Sequence, residues 1–265
     1  MRTRSQDTGI PVLLYHSIAR PGQEPSDRFQ VTAAAFAADL AAVVATGRTP
    51  LTATDYAACL HGEKHLPERP VLITFDDGFA DYAQVALPIL ERHSLPATLF
   101  VTTGWLGRPG MLSGPDVTRL ADGITEIGAH SATHPHLDLL ASSGLRTEIA
   151  QPREALEQLT GRPVTSFAYP HGSHTARTKA TVAESGYRTA HAVKNALSHP
   201  GDDPLAVARF TVEAHTPREQ VRAVLAGTGA PLAWSGERLR TKGYRIVRRL
   251  RSQQVPAPTS GVPSP

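Results

Sequence analysis

The sequence predicts an α/β fold, a distorted (β/α) barrel of about seven parallel strands in a single domain followed by a tail. Three observations carry this. Seven short apolar runs alternate with longer stretches of helical periodicity, the order expected of βα units around a parallel sheet. The acidic and histidine pairs with the most chemical character fall directly after two of those runs, at the strand ends where α/β barrels gather reactive groups. The chain has 265 residues, 40% of them hydrophobic, enough for the core of one such domain.

The predicted strands are VLLYH (12–16), VLITF (71–75), ATLFVT (97–102), ITEIGAH (124–130), TSFAYP (165–170), RTAHAV (188–193) and VARFTV (207–212). Helices are expected over residues 32–46, 80–93, 145–159, 174–185 and 217–226. Thr32 and Thr147 stand where caps or first turns belong, and Gly47, Gly161 and Gly186 stand where helices should stop. Pro88 should kink the second helix or divide it. The division expected is a domain over 1–227 and, over 228–265, a basic amphipathic segment running into a Pro/Ser-rich tail without fixed structure.

Charge narrows the partners. The net charge is +3, but seven of the 27 basic residues lie between Arg238 and Arg251, beside the single acid Glu237. The rest holds 20 basic and 23 acidic residues, a mildly acidic body that argues against nucleic acid. The basic segment, with Trp234 near its start, could make a peripheral membrane contact. Cys59 is the only cysteine, in the helix-like YAACL, so no intramolecular disulfide can form and a buried structural role is expected. No apolar run of about 18 residues occurs, and the short apolar stretch Ile10–Tyr15 has no cleavage site after it. A cytoplasmic location is the resulting expectation.

The chemistry concentrates in two places. Thr74-Phe75-Asp76-Asp77-Gly78 puts two carboxylates at a strand end, pointing in different directions because side chains on extended backbone alternate. One can bind a cation while its neighbour handles a proton; an isolated acidic turn would instead only cap the next helix. His130-Ser131-Ala132-Thr133-His134 places two imidazoles four residues apart, and neutral imidazole is a preferred zinc ligand. One Asp and two His leave open positions on a metal for water and a substrate oxygen. No GxSxG occurs, which disfavours a serine hydrolase.

TFDDG, HSxxH about fifty residues later and then FAYPHG together resemble the polysaccharide deacetylase family, carbohydrate esterase family four, over roughly residues 10–212. The resemblance implies that Asp76 is the general base and that Asp77, His130 and His134 hold a divalent metal ion, zinc foremost, with Co2+, Ni2+ or Mn2+ as alternatives. Ser131 would orient a histidine by its hydroxyl. The family's RxPY motif corresponds to Ala168-Tyr169-Pro170-His171, implying an oxyanion and substrate-binding region at Tyr169, Pro170 and the backbone N–H of His171. The motif's arginine is missing, and Arg209 is the candidate to replace it; its alternative is a surface arginine on an edge strand. A C-terminal Leu-x-His, the usual source of the general acid, is also missing. The opening Tyr15-His16-Ser17 resembles the permuted subgroup of bacterial poly-N-acetylglucosamine deacetylases, which implies His16 as the acid; His171, His174 and His191 are the alternatives.

The expected function is therefore a metal-dependent carbohydrate N-deacetylase, a hydrolase acting on an N-acetylated sugar that is polymeric, lipid-linked, nucleotide-linked or part of a glycosylated metabolite. The alternative is a catalytically impaired carbohydrate-binding protein on the same scaffold.

Overall fold

The computed structural model describes residues 9–233. In chain order it contains β1 (Val12–Tyr15), β2 (Ser17–Ala19), β3 (Gln30–Thr32), α1 (Ala33–Ala45), β4 (Thr49–Leu51), α2 (Ala53–Leu60), β5 (Pro70–Phe75), α3 (Leu87–Arg92) and β6 (Ala97–Val101). There follow α4 (Gly114–Ala121), β7 (Thr125–Ala129), α5 (Ser142–Thr160), β8 (Ser166–Ala168), α6 (Ala176–Glu184), β9 (Thr189–His191), β10 (Phe210–Thr211) and α7 (Arg218–Leu225). The basic segment 235–251 and the tail lie outside the described residues.

All seven predicted strands are present and pair in parallel in the order β10-β1-β5-β6-β7-β8-β9. The sheet curls until His191 of β9 meets Val207, ahead of β10, in a parallel bridge. This is the distorted barrel that the sequence predicts. β4 was not expected, because Pro50 interrupts its pattern. It pairs with Pro70–Leu72 of β5, leaving Thr74 and Phe75 to pair with β6. β2 and β3 form a separate parallel pair just beyond β1.

Helix ends follow local chemistry. The Thr32 hydroxyl accepts from the Ala35 N–H and caps α1, whose residues Ala33, Phe36, Leu40 and Val43 form the buried stripe of an amphipathic helix. Truncating Leu40 to Ala should cost about 2–5 kcal/mol. The expected helix over 80–93 changes character rather than breaking: one π-type turn covers Tyr82–Ala86 and runs straight into α3, with Pro88 just beyond that widened turn. Thr147 is not a cap. It lies inside α5, which starts at Ser142, and its hydroxyl donates to the Ser143 carbonyl. Gly161, in the left-handed region at φ 65°, ends that helix as expected. Residues 231–233 still pair with the body, since Leu197 donates to the Pro231 carbonyl and Ala233 donates to that of Leu197.

Strand parity decides what the barrel encloses. Leu13, Tyr15, Ile73, Phe75, Leu99, Val101, Ile127 and Ala129 face outward into the main core under the helices. The alternate positions Val12, Leu72, Phe100 and Ala168 belong to small inner clusters. The floor is closed by α2: Ala53 N–H donates to Thr98 Oγ1 at 2.9 Å, and Thr54 binds the Glu126 carboxylate through its N–H and its hydroxyl. Cys59 on this helix is half-buried rather than fully buried, its Sγ 3.5 Å from the His65 carbonyl. Among the described residues no helix is long and apolar enough to cross a membrane.

Candidate metal centre

The same parity builds the site. His16, Asp76, Thr102 and His130 are the first residues beyond β1, β5, β6 and β7, and each continues the inward-facing set of its strand. Register aligns them, because Tyr15 pairs with Phe75 and the Asp76 N–H donates to the Tyr15 carbonyl. His16 and Asp76 are therefore neighbours at the barrel mouth.

Asp77 departs from the strand with φ 78°, left-handed backbone that costs a non-glycine residue of order 1–3 kcal/mol. The turn aims its carboxylate toward the imidazoles. Asp77 Oδ1 lies 3.4 Å from His130 Nε2 and 3.3 Å from His134 Nε2, and the three candidate ligand atoms lie within 4.8 Å of one another. A tetrahedral zinc site with bonds of about 2.0–2.1 Å holds its ligand atoms about 3.3 Å apart, so these spacings fit a divalent cation. The donors also face correctly. His130 Nδ1 bonds to the Ala168 carbonyl at 2.8 Å and must be the protonated nitrogen there, which leaves the Nε2 lone pair on the site. Asp77 Oδ1 is buried without a hydrogen-bond donor, the condition of an oxygen suited to a cation.

Electrostatics agree with this reading. Burial alone would raise Asp77, but His130 outweighs it and lowers its pKa. Burial pulls His130 down, yet Asp76 and Asp77 raise it overall, so the pocket attracts positive charge at that nitrogen. Burial, then His130, depresses His134 to about 4, which keeps it neutral and available as a ligand.

Asp76 stands apart from the ligand set, its Oδ2 3.7 Å from His130 Nε2. Both its oxygens are held by Arg209, at 2.6 Å to Nη1 and 2.7 Å to Nη2. Arg209 is fully buried, donates through Nε to the Ala192 carbonyl and lies over the Phe100 ring. The alternative of a surface arginine is thereby excluded. Against a burial penalty that would raise it, Arg209 and His130 hold the Asp76 carboxyl well below the carboxylate range.

The other expected residues divide. Ser131 acts on the backbone rather than on a ring: its hydroxyl accepts from the His134 N–H at 2.9 Å, and it is the Ala168 carbonyl that orients an imidazole. His171, at φ 57° after the buried Pro170, has its ring 4.6 Å from that of His134 and 3.9 Å from that of His136. Tyr169 does not reach the site. It faces the outer core, donates its hydroxyl to the Leu205 carbonyl and stacks on His174, which removes that histidine from contention as well. His191 is fully buried against Phe100, with neither ring nitrogen hydrogen-bonded. His16 is largely buried, its ring 4.7 Å from Phe29, and its Nδ1 has no hydrogen-bond partner.

Sequence reasoning missed Trp105, whose ring lies 5.0 Å from His134, and Phe29, one of the exposed large apolar side chains. Trp105 follows the C-terminal end of β6, so the strand-end rule that found Asp76 could have found it. Phe29 carried no comparable signal.

Residues 63–190 match the family model described as polysaccharide deacetylase. The chain carries a polysaccharide deacetylase domain over those residues. It is 27% identical over 179 residues to YxkH of Bacillus subtilis (strain 168), named for a polysaccharide deacetylase, covering 68% of this chain and 62% of that protein. Two solved structures are similar. A polysaccharide deacetylase from Bacillus cereus is 25% identical with a TM-score of 0.71, over 82% of this chain and 69% of the other. IcaB from Ammonifex degensii is 27% identical with a TM-score of 0.70, over 85% of this chain and 99% of IcaB. The chain spans less than two thirds of the length of three of the curated relatives it matches, 62%, 45% and 28%.

Proposed function

We propose that the chain, with its polysaccharide deacetylase domain, is a metal-dependent hydrolase that removes acetyl groups from N-acetylated amino sugars. The observation that carries the reading is the division of labour between adjacent carboxylates: Asp77 Oδ1 lies between two imidazoles while Asp76 is held separately by Arg209. A binding protein needs no such pair.

A divalent cation held by Asp77, His130 and His134 would supply Lewis acidity, acidifying a water and polarising the amide carbonyl. Asp76 accepts the water's proton. Arg209 keeps it ionised and fixes both oxygens, but the same grip makes it a weak base, so its proton must come from a water whose acidity is already raised. The backbone N–H of His171, on the turn after Pro170, is the donor proposed for the developing oxyanion. Burial lowers the pKa of His16, against the pull of Asp76 and Asp77, so it rests neutral, and the proton it gains is the one that Asp76 has taken from water. It then protonates the amine leaving group, the role held by the N-terminal histidine in the permuted subgroup that the chain resembles.

Two aromatic rings flank these histidines, Phe29 beside His16 and Trp105 beside His134. Sugar rings present apolar C–H faces, and these two side chains are the proposed walls of the sugar cleft. The experiment is a screen of purified protein of known metal content for acetate release from N-acetylglucosamine oligomers, lipid-linked and nucleotide-linked N-acetylhexosamines. Release from any one of them supports the reading, and release from none rejects it.

A further inference from the structure

We propose that Glu148 on α5, outside every motif of the sequence, is the positioning residue for His134: its carboxylate sets the loop that brings the second imidazole to Asp77. The proposal rests on the reading of Asp77, His130 and His134 as a metal site.

The two histidines are held differently. His130 continues β7, donates its N–H to the Val101 carbonyl and has its ring fixed on the Ala168 carbonyl. His134 has no strand beneath it. Its place depends on the loop Ser131–Thr133, and that loop takes a costly path, with left-handed backbone at Ser131 (φ 67°) and His134 (φ 64°). Something must hold it there.

The Glu148 side chain supplies that hold with three hydrogen bonds, beside one from the Ala132 N–H to the Glu148 main-chain carbonyl at 3.2 Å. Oε2 accepts from two successive backbone N–H groups, Ala132 at 3.0 Å and Thr133 at 2.8 Å, and Oε1 accepts from the Thr133 hydroxyl at 2.7 Å. Bonds to an ionised carboxylate are about twice as strong as neutral ones. Two consecutive N–H groups meet one oxygen only when the backbone curls, which is the path that returns His134 to the site. From the other side, Gly104 N–H donates to the Ala132 carbonyl at 2.8 Å, and a Cβ at Gly104 would stand 2.6 Å from that oxygen. The loop is thus clamped between the turn after β6 and α5. The helix is a firm base, because Leu145 and Ile149, either side of Glu148, are fully buried.

The test measures zinc affinity by chelator competition, and the visible spectrum of the cobalt-loaded protein, for the full chain stripped of metal. Wild type is compared with Glu148→Ala, Glu148→Gln, His134→Ala and the exposed control Glu154→Ala. The expected result is a zinc dissociation constant raised about 10- to 100-fold by Glu148→Ala, with a cobalt spectrum shifted toward that of His134→Ala. Glu148→Gln, which keeps an acceptor for the two N–H groups, should recover most of the affinity, and Glu154→Ala should match wild type. Unchanged affinity in Glu148→Ala would overturn the proposal, as would Glu148→Gln binding as weakly as Glu148→Ala, which would point to charge rather than position. Should Glu148→Ala fail to fold, Thr133→Val removes one of the three bonds from an exposed residue. About two- to tenfold weaker binding is then expected, and no change overturns the idea. A wild-type chain that takes up neither ion rejects the metal reading itself, and the positioning role with it.

Discussion

Arg209, just ahead of β10, grips both carboxylate oxygens of Asp76 at 2.6 and 2.7 Å, in a barrel interior where the arginine has no exposure and Asp76 has 2%. Parity explains the meeting. Both residues occupy inward positions, and β1 alone separates their strands. An ammonium cannot reproduce the two-pronged contact, so Arg209→Lys should lower turnover roughly 10- to 100-fold with metal content unchanged. Arg209→Met leaves a buried carboxylate unmatched and should cost about 3–5 kcal/mol of stability. Since the folded pKa of Asp76 lies below its unfolded value of about 3.9, the pair stabilises the fold fully above about pH 4 and fades as pH falls toward the lowered value. Denaturant titrations of wild type and Arg209→Met should therefore converge only at strongly acidic pH.

His16 tests the assignment of the acid. No hydrogen bond or ring contact joins it to a proposed ligand, so His16→Ala should reduce turnover by roughly 10² to 10⁴ while elemental analysis finds the same metal content as wild type. A wild-type rate would move the acid elsewhere, with His171 next in line by its place against His134.

His191 gives a stability signature independent of activity. Burial, then Arg209, holds its imidazole down to about 3, whereas an unfolded chain binds that proton near about 6.5. Between those values the unfolded state takes up a proton that the folded state refuses, so stability falls as pH drops below about 6.5, by up to about 1.4 kcal/mol per unit. His191→Leu removes this contribution and two buried nitrogens without partners. Its stability should be at least that of wild type at pH 7 and about one proton less steep from pH 6 to 4, read by urea unfolding; equal slopes would contradict this.

Phe29 and Trp105 should act on binding. Phe29→Ala and Trp105→Ala are each expected to raise KM for an amino-sugar oligomer about three- to tenfold, the loss of one ring contact, with kcat changed little. A fall in kcat at constant KM would make them supports for the reacting histidines instead.

What was legible in the sequence follows from range. Period-two alternation and runs of β-branched residues are local, so seven strands could be read directly, and Asp76, Asp77, His130 and His134 stand out because they directly follow such runs. β4 hid behind Pro50, and α2, only eight residues long, showed in the sequence only as the helix-like YAACL. Tyr169 was misplaced because alternation around a short strand was not followed through, and it falls at the outward parity, with Phe167. Arg209 could be nominated only from a missing charge, since its contact with Asp76 spans 133 residues. Glu148 gave no signal at all: two of its three bonds are to backbone N–H groups, which every residue but proline has.

The central claim is that the reaction depends on a cation held by Asp77, His130 and His134. The most direct measurement is acetate release from N-acetylglucosamine oligomers by chelator-stripped protein, before and after one equivalent of zinc or cobalt, with Asp77→Ala treated in parallel. The account predicts negligible release when stripped, recovery at one ion per chain, and neither bound ion nor recovery in Asp77→Ala. Full activity in the stripped protein, or recovery in Asp77→Ala equal to that of wild type, would contradict it.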